Sequence, residues 1–95
     1  MASPVFDSAP AMLKTRWKEA GEWAVKDNYL GAVTNLLVLF SNSPQLTTEQ
    51  IAALNETWLD IGNRAFRAGE AGDKMAVKAV LEMRASGFGK GAGER

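Results

Sequence analysis

The chain has 95 residues with no cysteine and no histidine, and its eleven basic and eleven acidic side chains cancel. That length supports one modest domain, and the composition removes disulfides, thiolate chemistry and the commonest general base and metal ligand. Lys14, Arg16, Lys18 and Lys26 already balance Asp7, Glu19, Glu22 and Asp27 within residues 1–45, so the concentrated positive field that holds a phosphate backbone is missing and nucleic-acid binding is disfavoured.

Residues 1–8 show no periodicity and are expected to form an extended lead, which Pro4 suits. Ser8 is placed to cap a helix with Pro10 in its first turn, where a missing N–H costs little. Leu13, Trp17, Ala20 and Ala24 then recur at helical spacing opposite Lys14, Lys18, Glu22 and Lys26. The spacing predicts a helix from about Ala9 to Lys26.

Asp27 and Asn28 are turn and cap formers, so a tight reversal is expected there. A second helix follows with Tyr29, Val33, Leu36, Leu37 and Phe40 on one face and Ala32, Val38 and Leu39 around it. A helix apolar on nearly all sides is expected to be the central, most buried element. Its apolar run stops at Ser41-Asn42-Ser43-Pro44, far short of the roughly 20 residues that span a bilayer. The opening residues also lack the charged segment and apolar run of a signal peptide.

Thr47 offers a hydroxyl cap, and Gln50 stands three residues on, the spacing of a capping box. Ile51, Leu54, Trp58, Ile61, Ala65 and Ala68 follow in alternating steps of three and four, which predicts a third, long helix with one continuous apolar seam. Gly69 and Gly72 suit a helix end, and Asp73 suits the cap of a fourth, shorter helix carrying Met75, Ala76, Ala79, Val80 and Met83 up to about Ala85. Residues 87–95 place four glycines in seven positions from Gly87 to Gly93. Such a segment does not recover its ordering entropy by burial, so a mobile tail is expected. The expected fold is all-α, a single domain over residues 9–86 built from two antiparallel helical hairpins.

Ala20, Trp23, Tyr29, Ala32, Leu36, Leu39 and Pro44 occupy, in order, the small, aromatic, aliphatic and proline positions of a helical hairpin. Over roughly residues 13–46 the chain thereby resembles one tetratricopeptide repeat. The resemblance implies that Ala20 and Ala32 let two backbones approach closely while Trp23, Tyr29, Leu36 and Leu39 fill the space around them. Thr57, Asn63, Glu70, Asp73 and Lys78 stand where a second copy needs small or aromatic residues, so the second hairpin departs from the repeat. Leu46-Thr47-Thr48-Glu49-Gln50, followed by Gly72-Asp73, Ala76 and Ala79, resembles small helical bacterial proteins of verrucomicrobial and planctomycete type. Many of those are exported, and they imply no activity. A chain without cysteine suits the cytoplasm and an exported location alike, and the compartment stays open.

No residue is singled out as catalytic, and no cofactor or metal is expected. Glu19 with Glu22, and Glu56 with Asp60, have the one-turn spacing of carboxylate metal sites but no histidine to join them. Leu46 to Ala52 has the wording of a helix-turn-helix opening, yet the seam runs unbroken through Asn55, where a turn would be needed. Gly87-Phe88-Gly89-Lys90-Gly91 has the composition of a phosphate loop without its strand and helix. Trp17, Trp23 and Trp58 lie on or beside apolar stripes and are expected in the core, with Trp23 the least squarely placed. Arg64 and Arg67, with Lys74 and Lys78 nearby, are candidates to receive an acidic partner or phosphate, although the interleaved Glu70, Asp73 and Glu82 favour a solvated, internally paired face, and Phe88 is a candidate anchor of a docking peptide within a segment otherwise expected to be a mobile tail. The reading that follows is a noncatalytic helical interaction module, with Trp23, Arg64, Arg67 and Phe88 as partner contacts. Its partner is expected to be a protein, a peptide or a second copy. The alternative is a structural accessory subunit of a larger, membrane-associated complex, anchored through Val5, Phe6 and Phe88.

Overall fold

A computed structural model describes residues 4–87 of the chain. Four helices follow in order, α1 (Ala11–Val25), α2 (Tyr29–Ser41), α3 (Thr48–Glu70) and α4 (Lys74–Ser86), with 3-10 turns at Pro4–Phe6 and Ser43–Gln45 and no strand among the described residues. The fold is all-α. α1 pairs with α2 and α3 with α4, while α2 also packs on both α3 and α4. Seven of the 13 residues of α2 are buried, including Val33, Leu36 and Leu39, which makes it the central helix.

Local chemistry explains most boundaries. α1 turns into α2 through Asp27, whose φ of 58° lies in the left-handed region that Asp tolerates better than most side chains. Asn28 then caps α2, its side-chain oxygen accepting from the Gly31 N–H at 2.9 Å. α3 opens with a complete capping box: the Gln50 N–H donates to Thr47 Oγ1 at 3.1 Å, and the Thr47 N–H donates to Gln50 Oε1 at 2.9 Å. Gly72, at φ 110°, makes the turn after α3. One carboxylate oxygen of Asp73 caps α4 by accepting from the Met75 and Ala76 N–H groups. α3 continues without a break through Asn55, as its seam requires.

The N-terminal segment departs from expectation. Pro4–Phe6 is a 3-10 turn, and Phe6 is buried, its ring stacked at 4.3 Å on Trp17 of α1. Ser8 does not cap α1, which starts at Ala11 with Pro10 in the cap position and no side-chain cap. Its hydroxyl accepts instead from Gln50 Nε2 at 3.2 Å, and the same amide group donates to the Val5 carbonyl at 3.0 Å. Gln50 is almost fully buried, yet its amide has three partners, so burial leaves it satisfied. The capping side chain of α3 thus also fastens the lead to the core. Phe6 covers one face of the Trp17 ring, whose indole N–H is buried without a hydrogen-bond partner among the described residues.

Ala20 of α1 and Ala32 of α2 are fully buried, the condition for close approach of two backbones. A second α1–α2 tie is polar. Buried Asn35 donates to the Gly31 carbonyl at 3.0 Å and accepts from Arg16 Nη1 at 3.2 Å. Between the hairpins, Phe40 of α2 meets Trp58 of α3 edge to face at 4.9 Å. The predicted seam of α3 is buried at Leu54, Trp58, Ile61 and Ala65 and half-buried at Ile51 and Ala68.

Candidate interaction site

Of the four residues singled out in the sequence, Trp23, Arg64 and Arg67 lie among the described residues, each in different surroundings. Trp23 is 39 % exposed, its indole lying on Gly31 of α2 so closely that a β-carbon there would fall 2.8 Å from Cγ. The Lys26 amine sits 5.5 Å from its ring centre. Trp23 therefore covers Gly31 of α2, carries the Lys26 amine near its ring and stays partly exposed, between the core and surface roles expected of it.

Arg64 is engaged within the chain. Its guanidinium donates to the Ala24 carbonyl at 3.1 Å, pairs with Asp27 and Asp60 at 3.6 Å each, and lies over the Tyr29 ring at 5.6 Å. A cation at the C-terminal end of α1 also complements the helix dipole. An acidic partner would have to displace Asp27 and Asp60. Arg67, one turn on, is exposed with no ion pair among the described residues. Phe88 lies outside the described residues.

Among the described residues, a concave surface lies on each of two sides of α3. A cleft of about 390 Å³ separates α1 from α3, lined by Gly21, Val25, Thr57, Asp60 and Arg64 among others. On its polar side Arg64 is paired with Asp60, beside Glu56 and Thr57, and Ala24 and Val25 form its apolar side. The second, of about 260 Å³, runs between α3 and α4. Ala65 is its buried floor, and its walls are Phe66, Val77 and Leu81, exposed by 49 %, 43 % and 56 %.

Small residues shape this second groove. A β-carbon on Gly69 would lie 3.0 Å from Val77 Cγ2 and 3.6 Å from the Val77 backbone nitrogen, so α4 approaches α3 closely there; one on Gly62 would lie 3.1 Å from the Met83 methyl, whose side chain covers that position. Gly69 thus serves helix packing inside α3 rather than ending it. Between the two contacts, Phe66 and Leu81 project on the outer side and leave a trough over Ala65. Phe66, Val77 and Leu81 fall off the seams read from periodicity. The available signal was negative: they are large apolar residues, Val77 and Leu81 one turn apart, that no core stripe uses.

The chemistry of the groove is apolar contact with a charge at each end, Glu70 beside Val77 and Arg84 beside Leu81. Among the described residues, no group of three His, Cys, Asp or Glu side chains could hold a metal ion, and no helix is long and apolar enough to cross a membrane. Comparison of the chain with protein-family models, curated proteins and solved structures finds no match.

Proposed function

We propose that the chain is a noncatalytic helical interaction module that docks a protein partner on the α3–α4 groove. The observation that carries this reading is the cluster of Phe66, Val77 and Leu81, each near half exposed on one concave surface. Covering such side chains contributes about 25 cal/mol per Å² of apolar surface removed from water, and aromatic anchors in pockets are the usual centres of binding energy. The likeness of residues 13–46 to a tetratricopeptide repeat supports the same reading, with the first hairpin as scaffold and the second as contact surface. The alternative of an anchored accessory subunit loses one of its three anchors, because Phe6 is spent inside the chain's own core.

The test is recovery of partners from native cell extract with the full chain and with a Phe66→Ser/Leu81→Ser variant. Both substituted positions are about half exposed, so helicity should persist while partner recovery is lost. Equal recovery by the two proteins would overturn the assignment of this face.

A further inference from the structure

We infer that Phe88 is a latch on the end of the second hairpin, its ring laid back on Met83 of α4 and on the turn of α3 that carries Trp58 and Leu59. α4 ends at Gly87, whose φ of 76° lies in the left-handed region. A left-handed glycine after the last helical residue turns the backbone back over the helix it ends. The next residue is then carried against the side chain five positions before it, and an apolar pair at those two places completes the stop. Here the pair is Phe88 and Met83. The Met83 carbonyl already takes part, accepting from the Ser86 hydroxyl at 2.7 Å. A carbonyl has two lone pairs, so the bond from the Phe88 N–H that this geometry calls for fits beside it.

What Phe88 meets across the hairpin follows from the register of α4 on α3. Gly69 faces Val77, and Gly62 lies under the Met83 methyl, so seven residues back along α3 match six forward along α4. Trp58 and Leu59 stand one turn before Gly62, which sets them level with Ser86 and Gly87, where α4 has ended. No further turn of α4 covers them. Leu59 is 48 % exposed, and Trp58 is buried with its ring edge to face on Phe40 at 4.9 Å. Phe88 is bonded to Gly87, and consecutive Cα atoms lie about 3.8 Å apart, so its reach is fixed by the described chain. Residues 89–95 contain three glycines and no large apolar side chain, so the ring of Phe88 is what this segment offers to an apolar surface. A ring spent there does not anchor a foreign partner, and the accessory-subunit alternative loses Phe88 as it lost Phe6.

The experiment is urea unfolding, followed by circular dichroism, of the full chain, of Phe88→Ser and Phe88→Leu, and of a chain lacking residues 88–95. Phe88→Ser is repeated in a Met83→Ala background. Phe88→Ser and the deletion should raise the unfolding constant alike, about tenfold, through exposure of a partly covered ring. Phe88→Leu, which keeps apolar bulk, should raise it less. With Met83 cut back, the effect of Phe88→Ser should shrink to about threefold, because part of what the ring covers is gone. An unchanged unfolding constant in Phe88→Ser overturns the inference, whether or not the deletion destabilises. An equal effect of Phe88→Ser in both backgrounds also overturns it, since the ring would then rest elsewhere than on Met83. If Phe88→Ser loses a partner from cell extract and leaves the unfolding constant unchanged, the ring is a docking anchor and the latch is wrong.

Discussion

Gly31 illustrates how one missing side chain serves a neighbour. Alanine is favoured over glycine inside a helix by about 1 kcal/mol, yet a β-carbon at Gly31 would sit 2.8 and 2.9 Å from Trp23 ring atoms. Gly31→Ala is therefore expected to push the half-covered indole into solvent, shifting Trp fluorescence to the red. In a Trp23→Ala background the same change should stabilise the fold by about 1 kcal/mol. A double-mutant cycle by chemical denaturation checks the sign reversal; the same sign in both backgrounds would mean the ring does not lie on Gly31. Leu36 makes the complementary case. It is fully buried on the central helix, and Leu36→Ala should cost about 2–5 kcal/mol through lost burial and the cavity left behind. Thermal unfolding measures it.

Among the elements, α3 joins local and long-range order through one residue. Gln50 closes the capping box and also holds the Val5 carbonyl and the Ser8 hydroxyl. Thr47→Ala removes the cap alone and should cost about 1 kcal/mol. Gln50→Ala should cost more, by about 0.5–1.5 kcal/mol for each further hydrogen bond lost, because it also releases the half-buried Val5 carbonyl and the Ser8 hydroxyl of the N-terminal segment. Hydrogen exchange separates the two effects: the Gln50 variant should speed exchange of the Asp7 and Ala9 amides, which close the 3-10 segment by bonding Pro4 and Phe6 carbonyls, and the Thr47 variant should leave them slow. The Gln50 amide was legible as a cap because capping spacing is local. Its second task was not, since it depends on where residues 5–8 lie in space.

For the whole molecule, the two ends are expected to respond differently. Phe6 is packed against Trp17 in the core, so Phe6→Ala should lower stability by about 3–5 kcal/mol and expose Trp17 to solvent, read as a lower Tm and a red-shifted emission. Deleting residues 87–95 should leave the helical spectrum intact, because among the described residues the last apolar one packed on the core is Met83 and the glycines beyond it carry a large ordering cost. Loss of helicity on that truncation would mean that residues after Ser86 belong to the core.

The amino-acid sequence by itself determined the four helices, their order and the central place of α2. Each rests on information within a few residues: the spacing of Leu54, Trp58, Ile61 and Ala65, the Thr47–Gln50 and Asp73 caps, and the turn at Asp27–Asn28. Arg64 was legible as a cation beside an apolar seam, but its commitment to Ala24, Asp27 and Asp60 depends on how α3 lies against the end of α1. Phe6 was read as part of a lead because three residues of 3-10 turn are too few to show a period. Only the tertiary structure decided the groove. Periodicity assigns one stripe of each helix to the core and is silent on what covers the next stripe. Here α4 comes close to α3 at Gly69 and lays Met83 over Gly62, and that placement leaves Phe66, Val77 and Leu81 on one groove and half exposed.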